Sequence, residues 1–235
     1  MIIRVIDIET TGLDPAKDGA EPCEIAWTDL AQNGPGWHIG DCFSTLIKPA
    51  KPIPPTASAV HHITDDMVTK APLWPVVVQE LMHDKGEIVY ASHRASFEQQ
   101  FIQTSRRWIC TWKCALHLAP KAPAHSLQVL RYWLKLDLIA ARASPPHRAG
   151  PDSYVTASLL SRMLAKLTPE QCIEISAVPA ILPHFSFGKH AGEPLEEVPA
   201  DYLRWMLDSG KFDADIVATC ESHLQLRKRE AHNGS

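Results

Sequence analysis

The stretch from Val5 to Leu13, which reads Val-Ile-Asp-Ile-Glu-Thr-Thr-Gly-Leu, constrains the fold of this chain more than any other. Successive side chains of a strand point to opposite faces, so Asp7 and Glu9 would share one face beside a second face that stays apolar. Apolar residues on both faces in the first half are typical of a buried central strand. Thr10-Thr11-Gly12 then supplies the turn that ends the strand.

The two acids of this strand admit two interpretations. Carboxylates at positions i and i+2 beside an apolar face repel each other, and burial would raise their pKa values unless a divalent cation neutralises them. Ligands collect at the carboxyl ends of the strands in open α/β sheets, which is where this pair falls. The alternative is an edge strand whose acids are solvated, so the rest of the chain has to decide.

The charge balance and the cysteines limit the class of protein. With 235 residues, 45% of them hydrophobic, and a net charge of −4, the chain is not a polycation that coats nucleic acid by charge alone. The six cysteines form no C-x-x-C pair and are expected to be free thiols of a reducing compartment. The strand beginning beside Met1 leaves no room for a signal peptide, and no stretch reaches about 18 uninterrupted apolar residues. We therefore expect a cytoplasmic protein with no membrane partner.

Strand and helix patterns divide the chain into three parts. Strands at the start, followed by alternating helices and strands, predict an α/β domain over residues 1–167. Residues 168–183 are predicted to be a helix and a linker, because a Thr-Pro-Glu start signal precedes a proline-containing boundary. Residues 184–235 are predicted to be a small, mainly helical C-terminal segment, with Phe187 and Trp205 in its core.

Two further groups of polar residues stand at the ends of predicted elements. His147-x4-Asp152 enters a long helix. Asp152 could cap that helix, which leaves His147 unexplained, or it could point inward with the face that packs on the sheet. Glu98 follows a middle strand and could complement the dipole of a helix predicted over residues 95–104. His93, just before it, is expected to be a partly buried, hydrogen-bonded histidine.

Together these motifs resemble the DEDDh exonucleases, the DnaQ-like group of the ribonuclease H-like fold. The residues that carry the resemblance are Asp7-Ile8-Glu9-Thr10-Thr11-Gly12-Leu13, His93-x-Ala95-x-Phe97-Glu98, His147-x4-Asp152 and His61-x-Ile63-Thr64. Beyond residue 167, Phe-Gly-Lys-His-Ala-Gly at 187–192 and Asp-Tyr-Leu-Arg-Trp at 201–205 resemble the C-terminal segment of the bacterial exonuclease X group. The resemblance implies an α/β fold with a ribonuclease H-like mixed sheet flanked by helices, and a small, mainly helical C-terminal segment.

The resemblance also implies an activity, that of a metal-dependent 3′–5′ exonuclease that releases 5′-mononucleotides from DNA. Two divalent cations, Mg²⁺ or Mn²⁺, would be held by Asp7, Glu9, Glu98 and Asp152. His147 would be the catalytic base that deprotonates the attacking water. The terminal nucleotide would contact a further set of residues: Thr10, Thr11, Gly12, Leu13, His61 and Phe97. The partner would be DNA with a free 3′ end, single-stranded or at a duplex end. Trimming of RNA ends is the alternative within the same chemistry, and the oligomeric state stays open.

Two departures from the family pattern leave an interpretation from another class open. Where the family usually has Asn-Ala-x-Phe-Asp, this chain reads Arg94-Ala95-Ser96-Phe97-Glu98. Glu98 keeps a carboxylate but adds a methylene, and Arg94 places a cation where a neutral amide is usual. A nucleic-acid-binding module with a weakened active site is therefore the alternative to an active enzyme.

Overall fold

The computed structural model describes residues 1–34, 36–83 and 86–233. Residues 33–36 read Asn-Gly-Pro-Gly, which predicts a turn, and Pro35 of this predicted turn lies outside the described residues. Within the described residues, five strands form one mixed sheet in the order β3-β2-β1-β4-β5. Their bounds are β1 Ile2–Thr10, β2 Pro22–Asn33, β3 Gly36–Leu46, β4 Ile88–Ser92 and β5 Trp108–Cys110.

Strand β1 is the central strand of the sheet, as its apolar first half predicts. It pairs antiparallel with β2 along its whole length, and parallel with β4 only from Ile2 to Val5. The carboxyl half of β1, with Asp7 and Glu9, therefore extends past β4 and has no strand partner on that side among the described residues. The segment that follows β4, which includes Glu98, lies beside this unpaired half of β1.

Helices separate the strands and follow them along the chain. The first three lie between β3 and β4, and the others follow β5: α1 Pro55–His61, α2 Asp65–Val68, α3 Trp74–Met82, α4 Thr111–Leu118, α5 Leu127–Trp133, α6 Ala149–Met163, α7 Pro169–Ala177, α8 Ala200–Ser209 and α9 Ala214–Asn233. Helix α6 packs against β1, β2 and β3, and most of its side chains are buried. The predicted mixed sheet flanked by helices is confirmed. None of the helices in the described part of the chain has the length and apolar character needed to cross a bilayer.

The prediction of a helix over residues 95–104 is wrong. Only Glu98–Gln100 form a helical turn, of the 3₁₀ type. The reason is tertiary, because Glu98 and Ile102 are both buried and the chain leaves for β5 after that turn. Arg94, which precedes the turn, has a left-handed φ of +81° and redirects the backbone out of β4.

A second compact unit comprises Ala115–Lys121 and the chain from Ala177 onwards. Its core consists of Phe185, Leu195, Val198, Leu203, Met206 and Cys220. The expectation that Phe187 and Trp205 are core residues is wrong, because these side chains are 36% and 55% exposed. Trp205 lies outside the buried face of α8, which presents Leu203 and Met206. The apolar residues at 202, 203 and 205–207 cover too much of the helix to reveal which of them are buried. The boundaries near residues 167 and 183 stay a prediction.

Candidate active site

Three acidic side chains meet at the carboxyl end of β1. One carboxylate oxygen from each of Asp7, Glu9 and Asp152 lies within 4.8 Å of the other two. Asp7 and Glu9 come from one face of β1, and α6, which packs against that strand, brings Asp152 from its first turn. The N-cap residue of α6 is Arg148, so Asp152 does not cap the helix and instead points inward.

Glu98 lines the same cavity, which has a volume of about 460 Å³, but it is not one of the three clustered acids. Its side chain is buried, at 3% exposure. Within the described part of the chain, its Oε2 has no hydrogen-bond partner. Buried polar atoms without a partner in the protein are rare, and a bound ion or a catalytic role is among the explanations for them. The orphaned oxygen therefore fits a cation site that Glu98 would complete.

The pKa values of these acids depart from those of solvated carboxyls. Burial raises the pKa of Asp7 well above its ordinary value, and the charge of Glu9 adds to the effect. Burial, followed by the charge of Asp152, raises the pKa of Glu9 to about 8, and burial raises that of Glu98 to about 8. A cation bound among these acids would favour their charged forms and offset the cost of burial. Because oxygen ligands suit Mg²⁺ and Mn²⁺, the donor set fits these ions, whose binding would displace protons.

These pKa values predict how the stability of the metal-free protein depends on pH. Between the ordinary pKa of 4.5 and about 8, folded Glu9 and Glu98 bind more protons than the unfolded chain does, so the free energy of unfolding falls as pH rises. Glu98→Gln removes one of these groups and should raise the Tm in chelator at pH 8 by about 5 °C or more. Thermal unfolding between pH 5 and 8 measures this, with Glu170→Gln, an exposed residue, as the control. Identical pH dependence in the native protein and Glu98→Gln would contradict the prediction.

His147 stands at the rim of the same cavity with an exposed side chain. Its backbone N–H donates to Asp152 Oδ2 at 2.8 Å, while Gln128 Nε2 donates to the other oxygen of Asp152, also at 2.8 Å. The carboxylate is thereby held in one orientation, and the backbone of His147 is attached to it. The imidazole itself stays free to approach a water molecule in the cavity.

His93 also lines the cavity but is not suited to act as a base. Its Nε2 donates to the backbone oxygen of His125 at 2.8 Å, and its Nδ1 lies 2.9 Å from Thr111 Oγ1. Burial lowers its pKa to about 4, so the ring is neutral with both nitrogens engaged. The expectation of a hydrogen-bonded structural histidine is confirmed.

A second cavity of about 370 Å³ adjoins the first, and both are lined by Ile8, Glu9 and Phe97. All the predicted substrate contacts line this second cavity: Thr10, Thr11, Gly12, Leu13, His61 and Phe97. Leu13 is 78% exposed, as befits an apolar side chain that would cover a base. His61 is buried, and its Nδ1 accepts the N–H of Ile63 at 3.0 Å, which fixes the ring.

The loop that follows β1 is shaped by Asp18, which the sequence motifs do not identify. The Asp18 carboxylate accepts the N–H groups of Leu13 at 2.9 Å and Asp14 at 3.2 Å. A Cβ atom at Gly12 would lie 2.8 Å from Asp18 Oδ2, closer than real contacts allow. A larger residue at position 12 would therefore have to displace the Asp18 carboxylate that holds this loop.

Arg94, the unusual residue of the second motif, lines the first cavity and is exposed. Its guanidinium carbon lies 4.1 Å from the centroid of the Trp112 ring, the distance of a cation–π contact. No ion pair joins Arg94 to the clustered carboxylates in the described ranges. The cation is thus held on an aromatic surface and does not occupy the place of a metal ion.

The chain is similar to known exonucleases in sequence and in fold. The exonuclease family model (RNase_T) matches residues 5–160. Exodeoxyribonuclease 10 of Escherichia coli (strain K12) is 33% identical over 231 residues, which cover 95% of this chain and 99% of that protein. The structure of exonuclease X in complex with 5′ overhanging duplex DNA matches with a TM-score of 0.63 and 33% identity, covering 74% of this chain and 99% of the other. The nuclease domain of 3′hExo, a DEDDh family member bound to rAMP, matches with a TM-score of 0.57 over 73% and 93% of the two chains; at 21% identity that likeness concerns the fold.

Proposed function

Because the chain belongs to the exonuclease family, we propose that it hydrolyses DNA from the 3′ end and releases 5′-mononucleotides, using divalent cations held by its acidic cluster. The fold is the ribonuclease H-like one, and the enzyme is a 3′–5′ exonuclease. The identity of the ions, their number and the residues that hold them belong to the proposal. The substrate that we propose is a DNA strand with a free 3′ end, including the end of a duplex with a 5′ overhang, as in the related complex.

The observation that carries the proposal is the meeting of Asp7, Glu9 and Asp152 within 4.8 Å, beside the orphaned oxygen of Glu98. We propose that these four side chains hold two Mg²⁺ or Mn²⁺ ions. When bound, such ions stabilise the charge on the attacking and leaving oxygens of an in-line displacement at phosphorus. Buried acids with raised pKa values are what such a site requires in its metal-free form.

His147 is the residue that we propose to move the proton. Its exposed imidazole at the rim of the cavity accepts a proton from the attacking water, while its backbone stays attached to Asp152. Histidine exchanges protons near neutral pH, and a positioned general base contributes about 10²–10⁴-fold to a rate. His93 cannot replace it, because both ring nitrogens of His93 have partners.

The second cavity is the part of the site next to the acidic cluster that could receive the end of a nucleic-acid chain. We propose that it accommodates the terminal nucleotide, whose base would lie against Leu13 and Phe97 with His61 behind them. Because Glu9 lines both cavities, the phosphate that joins the last two nucleotides would then lie at the acidic cluster. A binding cavity of this size that is open at one side to the cluster favours removal of one nucleotide at a time.

The weakened-site alternative receives less support from the geometry. Arg94 stacks on Trp112 and does not neutralise the acids, and Glu98 places a buried carboxylate in the cavity despite its extra methylene. RNA stays a second candidate substrate, because the 2′-hydroxyl is sensed by local contacts that the free protein does not display. The six free cysteines support a cytoplasmic location.

The activity is tested with an oligonucleotide labelled at either end, in Mg²⁺ or Mn²⁺ and with or without chelator. We expect the 3′ label to leave at once as a 5′-mononucleotide and the 5′-labelled strand to shorten one nucleotide at a time. Chelator should stop both reactions. Matched DNA and RNA strands, compared by rate, distinguish the two substrates. The absence of metal-dependent mononucleotide release from either strand would refute the proposal and favour the weakened site.

A further inference from the structure

A fifth acid, Glu24, is buried directly beside the four acids of the proposed metal site. Glu24 of β2 pairs opposite Glu9 in the antiparallel register, so both side chains lie on the same face of the sheet. Glu24 is 3% exposed, and its charge raises the pKa values of Asp7 and Glu9, after the larger effects of burial and other acids. Like charges directly opposite each other destabilise a sheet, so the position needs an explanation.

The Arg148 guanidinium binds both oxygens of the Glu24 carboxylate. Arg148 Nε donates to Glu24 Oε2 at 2.9 Å, and its terminal nitrogen donates to Oε1 at 2.7 Å, which is the bidentate geometry of a strong ion pair. The backbone N–H of Ala149 donates to Oε2 at 3.0 Å. Glu24 lies on β2, far from α6 in sequence. It nevertheless binds both the side chain of the N-cap residue, Arg148, and the first backbone N–H of the helix, that of Ala149.

These contacts hold the backbone immediately after the proposed base. His147 has a left-handed φ of +59°, which is unfavourable for a residue other than glycine and persists only where the surroundings impose it. On one side its N–H is bound by Asp152, and on the other Arg148 and Ala149 are bound by Glu24. Removal of Glu24 would release one of the two restraints on this conformation.

We propose that Glu24 and Arg148 are positioning residues that hold His147 at the rim of the acidic cluster and keep the Glu24 carboxylate out of that cluster. The inference rests on the proposed function, because it assigns a task to residues that serve its base. Neither residue is among the residues that line the two cavities described above. Glu24 and Arg148 affect kcat only because they determine the position of the His147 imidazole.

The test is a double-mutant cycle with His147→Ala. Glu24→Gln is expected to lower kcat by about 10- to 100-fold, the usual cost of losing an outer partner of a site. Arg148→Lys, which keeps the charge but loses the bidentate contact, should lower kcat by about tenfold. In the His147→Ala background, Glu24→Gln should cause a further loss of less than about twofold, because the group that it positions is already absent.

Two measurements separate this role from general loss of structure. Mn²⁺ affinity, measured by titration, and KM for the strand should each change by less than about threefold in Glu24→Gln and Arg148→Lys. Asp29→Asn is the matched control, because Asp29 lies on β2 like Glu24 and forms a bidentate pair with an arginine, Arg4 of β1, away from the cluster. It should lower the Tm and leave kcat close to native.

The outcomes distinguish the inference from the proposed function. Native kcat in Glu24→Gln and Arg148→Lys, or the same fold loss from Glu24→Gln with and without His147, would overturn the positioning role alone. A large loss of Mn²⁺ affinity in Glu24→Gln would overturn it too, because Glu24 would then belong to the metal site. Native kcat in His147→Ala alone would overturn the base assignment and this inference with it, whereas metal-dependent cleavage would remain.

Discussion

Replacement of Asp7 by asparagine is expected to lower kcat for mononucleotide release by about a thousandfold or more, since a metal-held charge contributes several kcal/mol to such a reaction. Asp7 is the acid on which the charges of Glu9, Asp152 and Glu98 all act. An amide in its place keeps the shape and removes the charge that balances the cations. Steady-state rates in Mg²⁺ and a Mn²⁺ titration measure the two consequences, and Mn²⁺ affinity should fall together with kcat.

The same substitution should stabilise the metal-free protein. Because burial and neighbouring acids raise the pKa of Asp7, ionisation of this group opposes folding at neutral pH when no cation is present. Asp7→Asn should therefore raise the Tm in chelator while it abolishes activity, a trade-off typical of functional acids. Asp41→Asn, an exposed acid on β3, is the control and should change neither property. An active Asp7→Asn variant with native Mn²⁺ affinity would contradict the metal assignment.

Replacement of His147 by alanine is expected to have the second largest effect. The value of kcat should fall by about 10²–10⁴-fold. The contact of position 147 with Asp152 is made by the backbone N–H, which alanine keeps, so Mn²⁺ affinity should stay within about twofold of native. The loss should shrink as pH rises, because hydroxide then replaces the water that needs a base. Rates from pH 6 to 9, in native enzyme and variant, measure this.

His38→Ala is the matched control for that substitution. His38 is exposed on β3 and pairs with Ala31, at the end of the sheet away from the cluster. It should leave kcat unchanged. If His147→Ala kept the native rate, another group would have to accept the proton, and the role proposed for this histidine would be wrong.

The parts of the site that sequence predicts well are those that are local in the chain. Asp7 and Glu9 are recognisable because a strand alternates its faces and β1 is apolar on both sides up to that point. The loop from Thr10 to Leu13 follows β1 directly, so its residues line the nucleotide cavity without any knowledge of the rest of the fold. The order of strands and helices follows from the same local patterns.

The parts that the sequence does not reveal depend on contacts between distant segments. Glu24 faces Glu9 only because of the register of β1 and β2, and nothing in the loop between them specifies that register in advance. Its pairing with Arg148 and the contact of Gln128 with Asp152 likewise bridge separate elements. The N-cap of α6 shows the same limit: it is Arg148 and not Asp152, and Glu24 of a distant strand binds the Arg148 side chain and the Ala149 N–H.

The central claim is that Asp7, Glu9, Asp152 and Glu98 hold divalent cations beside His147. A crystal structure of the protein with Mn²⁺ and a nucleoside 5′-monophosphate tests it most directly, because the anomalous signal of Mn²⁺ locates the ions independently of any assumed ligand. The account predicts anomalous peaks in contact with these four carboxylates, with the phosphate between the ions and His147. Peaks that lie elsewhere, or Mn²⁺ bound without Asp7, would contradict it.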